Sequence, residues 1–141
     1  MAWSFTSRAP VYMQIVSRIR ADILGGVYQP DQQIPAVRQL ALTAGVNPNT
    51  MQRAFAVLEA EQLFITRGTI GRFITTDTEV LARAREVMRR ETVARLIEEA
   101  AAVGISPAEL IESIHAYESE HAAEKAEASP ETDTQWKEYP I

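Results

Sequence analysis

A chain of 141 residues, 46% of them hydrophobic, can build one domain, or a small domain with an appendage, around a real core. No apolar run approaches a membrane span, Met1-Ala2-Trp3-Ser4-Phe5 lacks a signal peptide's charged start and long apolar stretch, and the absence of cysteine excludes disulfides and thiolate metal sites, so a soluble cytoplasmic protein is expected. The net charge of −5 averages two unlike parts: residues 1–75 carry seven arginines against four carboxylates, a net of +3, and residues 76–141 carry −8. Phosphate binding responds to local charge and counterion release, so a basic part can bind a polyanion inside an acidic protein.

A first helix is expected to open at Pro10, whose fixed φ suits a first helical position. Val11, Ile15, Ile19 and Ile23 recur every four residues as its apolar stripe, and Gly25-Gly26 ends it before a turn at Tyr28-Gln29-Pro30-Asp31. A short helix follows Pro35, with Val37, Leu40 and Ala41 facing inward and Gly45 closing it. Asn47-Pro48 is the strongest local start signal in the chain, an asparagine cap followed by proline at the first helical position. The helix it opens carries Met51, Ala54, Phe55 and Leu58 at i, i+3, i+4 and i+7. Phe64-Ile65-Thr66 and Phe73-Ile74-Thr75 are β-prone runs around Arg67-Gly68-Thr69-Ile70-Gly71-Arg72, which predicts a hairpin. Thr76 and Glu79 form a capping-box signature for a long fourth helix with a stripe of Val80, Ala84, Val87, Ala94, Ile97 and Ala101. Ser106-Pro107 and Glu109 start a fifth, with Leu110, Ile111, Ile114 and Tyr117 on one face. Beyond Glu118 the chain turns rich in Ala and Glu, without periodic apolar residues.

On the third helix, Asn49, Gln52, Arg53 and Ala56 lie opposite the apolar face. Asn or Gln can pair with adenine and Arg with guanine, the helix N-terminus offers N–H groups to a phosphate, and the small Ala56 permits close approach. That face alone fits an ordinary solvated surface as well. The short helix before it and the hairpin after it, bracketed by Arg67 and Arg72, favour DNA: a reading helix enters the major groove and an adjoining wing reaches a neighbouring one.

Gly26-Val27-Tyr28-Gln29-Pro30, Ile34-Pro35-Ala36-Val37-Arg38-Gln39-Leu40-Ala41, Gly45-Val46-Asn47-Pro48-Asn49-Thr50 and Gly71-Arg72-Phe73-Ile74 together resemble the GntR family of winged-helix regulators. The Asn47-Pro48-Asn49-Thr50 start, Gln52-Arg53-Ala54-Phe55 and the two-helix C-terminus resemble its YtrA subfamily, and the likeness runs from about Pro10 to Tyr117. It implies that Arg38 contacts DNA from the second helix, that Asn47, Asn49, Thr50 and Gln52 occupy the reading-helix contact positions, and that Arg67-Gly68 form the wing tip. Arg53 joins them from the helical wheel and Arg72 from its place on the wing. Two residues depart from the family pattern: Asp31 stands where glycine is usual, which leaves that turn's geometry open, and Ala36 where serine is common, which removes a possible cap and phosphate contact.

The expected architecture is mainly α: a winged helix-turn-helix of three helices and a β-hairpin over 1–75, a two-helix dimerisation region over 76–121, and a flexible acidic tail over 122–141. Val80, Ala84, Val87, Ala94, Ile97, Leu110 and Ile114 are expected to pair with a second copy. The expected function is sequence-specific repression by a homodimer on a pseudo-palindromic operator, and the resemblance implies targets such as transporter operons. The rival reading is a winged-helix module that binds protein without specific DNA binding; aromatic or aliphatic residues at 49, 52 and 53 would have favoured it. A small enzyme is the third, and no P-loop, nucleophile motif or dinucleotide fingerprint supports it. His115, Glu118 and His121 read as exposed polar residues near a helix end rather than a metal site, and no cofactor is expected.

Overall fold

The first helix of the computed structural model, which describes residues 2–127, is α1 (Val11–Leu24). It starts one residue later than the sequence suggests, because Pro10 stands outside it with ψ 142° while its carbonyl accepts from the Met13 and Gln14 amides. Ile15, Val16, Ile19 and Ile23 are buried, and Val11, first in the stripe, stays exposed. Helix α2 (Val37–Ala44) ends at Gly45, whose φ of 74° is left-handed and comfortable only without a Cβ. Helix α3 (Pro48–Ala60) is capped by Asn47, whose Oδ1 accepts from the Asn49 amide at 2.8 Å. Its Met51, Ala54, Phe55 and Leu58 are fully buried, packed against α1 and α2.

The hairpin pairs β1 (Phe64–Arg67) with β2 (Gly71–Ile74) antiparallel, with Phe64 opposite Ile74 and Arg67 opposite Gly71. The alternation puts Phe64 and Ile74 into the core, where Phe64 meets Phe55 edge-to-face at 5.1 Å and 77°. Residues 31–34 add an element that the sequence does not reveal. They run along the free edge of β2 through Asp31 N to Ile74 O (2.9 Å), Ile74 N to Gln32 O (2.9 Å) and Ile34 N to Arg72 O (3.0 Å). The wing is thereby stitched to the segment that leads into α2.

Helix α4 (Thr78–Ala102) is capped by Asp77 rather than Thr76: its Oδ1 accepts from the Glu79 and Val80 amides, and Thr75 Oγ1 accepts from the Asp77 amide. Two compact units divide inside this helix, between Leu81 and Ala82. The expected boundary after Thr75 thus moves six residues on, because Val80 and Leu81 are buried with the first unit.

The second unit holds the rest of α4, then α5 (Pro107–Glu120) and α6 (Ala122–Glu127). The α5 capping box is formed as expected, Ser106 Oγ accepting from the Glu109 amide and Glu109 Oε2 from the Ser106 amide, both at 3.2 Å. At the α4 end, Gly104 is left-handed (φ 78°) and the Ile105 amide reaches back to Ala100 O. Among the described residues of this unit Ala100 alone is buried, and α4 and α5 scarcely touch beyond the turn between them. The expected acidic tail begins as the short helix α6, and its remainder, 128–141, lies outside the described residues.

Candidate nucleic-acid interface

Helices α2 and α3 are joined by the tight turn at Gly45-Val46-Asn47, in which the Val46 amide bonds Ala41 O at 3.0 Å. Because four α3 residues point into the core, the opposite side of the helix is fixed in space: Asn49, Gln52, Arg53 and Ala56 are all exposed. Among the described residues no hydrogen bond engages the Asn49 or Gln52 side-chain amides, which leaves their donors and acceptors available. Asn47 is exposed with its Oδ1 spent on the cap, and Thr50 is half-buried at the next turn.

The arginines divide by partner. Arg38 on α2 is exposed and, among the described residues, has no ion pair or ring contact. Arg53 lies over the Tyr12 ring of α1 at 3.9 Å, so its aliphatic stem and guanidinium plane are held against the helix pair. Arg67, at the end of β1, pairs with Asp31 and lies 4.3 Å over the Phe73 ring. Arg72, half-buried on β2, pairs with Glu59 of α3 and sits 5.3 Å from the Phe55 ring centroid. Glu59 also accepts from Thr66 Oγ1 at 3.2 Å, so one carboxylate ties both strands of the wing to α3.

The wing tip turns on Gly68 (φ 50°), where an added Cβ would meet open space, and on Gly71, where it would come within 2.7 Å of Gln33 Nε2. That Gln33 amide donates to Ile70 O at 2.8 Å. The sequence placed Arg38, Asn49, Gln52, Arg53 and Arg67-Gly68 on the surface correctly. It missed Asp31, Gln33, Glu59 and Tyr12 as supports of that surface. Only Asp31 carried a signal, its departure from the glycine usual in the family. Among the described residues no three of His, Cys, Asp and Glu stand close enough to hold a metal ion, and His121 instead stacks on Tyr117 with ring centroids 4.0 Å apart.

Three helices, a tight turn between the second and third, and a two-stranded wing define a winged helix-turn-helix DNA-binding protein. Residues 11–74 match the family described as bacterial regulatory proteins, gntR family. The chain is 29% identical over 119 residues to the transcriptional repressor YtrA of Bacillus subtilis, covering 84% of this chain and 88% of that one. It is 28% identical over 113 residues to the regulator YhcF of the same organism, covering 80% and 93%. In structure it resembles a GntR family transcriptional regulator from Listeria monocytogenes, at 30% identity and a TM-score of 0.70, over 79% of this chain and 97% of that one. The chain belongs to the GntR family and is of its YtrA type, a transcription regulator and not an enzyme. Among the described residues no helix is long and apolar enough to cross a membrane.

Proposed function

We propose that this regulator represses transcription as a homodimer, each copy laying α3 in one major groove of a pseudo-palindromic operator. The observation that carries the reading is the pair of exposed, internally unbonded amides of Asn49 and Gln52, set on a helix whose other side is locked into the core. Asparagine and glutamine there suit bidentate pairing to adenine, and Arg53 suits guanine. Arg38, Asn47, Thr50, Arg67 and Gly68 serve the sugar-phosphate backbone around them. Arg72, with its guanidinium engaged by Glu59, serves the wing's attachment to α3 rather than the DNA. The target proposed from the subfamily resemblance is an operon for a transporter.

Dimerisation is supported by the second unit's lack of a core of its own. Val87, Ile97 and Ile114 are 56%, 38% and 44% exposed, alongside Val93, Leu96, Val103, Ile105, Ile111 and Tyr117. So large an apolar surface on two helices that scarcely touch calls for a partner, and a two-fold pair with a second copy is the commonest one. Val80 is already covered in the first unit, so Ala84, Val87, Ala94, Ile97, Leu110 and Ile114 carry the proposed interface. The alanines permit close approach of the helices.

The test is to recover the genomic fragments the protein binds and titrate wild type and Gln52→Ala against one of them and against random duplex. The substitution should cost about 1–3 kcal/mol on the recovered site and much less on random DNA. Equal losses on both would assign Gln52 to the backbone and remove the base-reading claim.

A further inference from the structure

The wing's leading arginine is not free: it is paired to the carboxylate of a residue in an unusual backbone conformation. Asp31 has φ 68°, the left-handed region that costs most side chains energy and that asparagine and aspartate tolerate best. Its amide donates to Ile74 O at 2.9 Å, which fixes the residue against β2, and the turn closed by the Gln32 amide on Gln29 O leads into the segment paired with the wing. From that fixed point the carboxylate meets the Arg67 guanidinium, which also lies 4.3 Å over the Phe73 ring. Both partners remain open to water, with side chains 45% and 58% exposed. Such a pair is weak and readily exchanged for a stronger anion. The wing tip beyond it, at Gly68, is unobstructed.

We propose that Asp31 masks Arg67, acting as a built-in competitor for the guanidinium that a DNA phosphate would otherwise take. The inference rests on the operator-binding reading above. While the pair stands, the two groups present no net charge to the duplex, so Arg67 releases no counterion on non-specific DNA. The protein then binds arbitrary sequence less tightly than its basic surface would allow. On a site that seats α3 well, the wing is brought close enough for a phosphate to displace the carboxylate. Asp31 is thus a residue that sets the level of sequence-independent binding, and reading by Asn49 and Gln52 stands out against a lower background.

The experiment compares the full-length wild type with Asp31→Asn, which keeps the tolerated backbone and the amide donor but removes the charge. Asp31→Gly, which suits the positive φ at least as well, is a second variant that also lacks the carboxylate. Both should bind random duplex about three- to fivefold more tightly than wild type, the factor set by an exposed ion pair, and their log-affinity against log-salt slope should steepen by about 0.9. Arg67→Ala should then cost far more in the Asp31→Asn background than in the wild type. Unchanged affinity and slope in both variants would overturn the mask while leaving operator binding intact. A loss of affinity in both would also overturn it, making Asp31 a support that positions Arg67. No binding of any duplex by any of the proteins would instead remove the operator reading, and the mask with it.

Discussion

Replacing Arg72 with alanine removes in one step the ion pair to Glu59 and the guanidinium beside the Phe55 ring. The side chains of the pair are 27% and 33% exposed, which places it between a surface pair worth under about 1 kcal/mol and a buried one worth several. The ring contact at 5.3 Å lies near the outer limit for a cation over an aromatic face and adds about 0.5 kcal/mol. Glu59 keeps Thr66 Oγ1 as a donor, which softens the loss. The expected cost is therefore about 1.5–2.5 kcal/mol of the first unit's stability, a lowering of its melting temperature by about 6–20 °C for a unit of this size. Urea unfolding followed through Trp3, in a Trp136→Phe background, reports on that unit because Trp3 is anchored there, its amide on Ala44 O and its ring under Arg18. The same proteins titrated against random duplex should show an unchanged salt slope. Arg38→Ala, in contrast, should flatten that slope by about 0.9, the share of one phosphate. If Arg72→Ala leaves the unfolding midpoint where it was and flattens the slope instead, Arg72 is a phosphate ligand and the assignment to the wing's support is wrong.

Two further outcomes follow from the same geometry. A fragment ending after Leu81 should fold, remain monomeric in sedimentation and bind the operator about 10²–10⁴-fold more weakly, because linked sites gain an effective concentration that separate ones lack; a monomeric full-length protein, or undiminished affinity of the fragment, refutes the dimer. On α4, hydrogen bonds from Arg89 and Arg90 hold the Glu86 carboxyl at about 2, below its ordinary 4.5. An acid depressed in the folded state contributes stability above its unfolded value and loses it as pH falls through the folded one, so helical circular dichroism should decline between about pH 4.5 and 2, and Glu86→Gln should abolish that part of the decline.

Much of this architecture is legible from neighbours in the chain. A four-residue apolar period sets α1, and the i, i+3, i+4, i+7 pattern sets both the buried side of α3 and, by exclusion, the exposed face that carries Asn49 and Gln52. Asn47-Pro48 and the Ser106 capping box act within three residues, so the sequence states them completely. Where two local signals compete, tertiary context decided: Asp77 took the α4 cap from Thr76, and the burial of Val80 and Leu81 drew the first turn of α4 into the winged unit. The edge pairing of residues 31–34 with β2 has no periodic signature, since it is made by backbone groups that every residue carries. The division of the arginines was equally invisible. Seven identical charges stand in the basic part, and whether each is offered to DNA depends on a partner far along the chain: Asp31 lies 36 residues from Arg67, and Glu59 lies 13 from Arg72. Composition and spacing determined that this part of the chain is basic and which face of α3 is exposed. Only folding, by bringing distant carboxylates and rings against particular guanidiniums, decided which arginines are left to meet a phosphate.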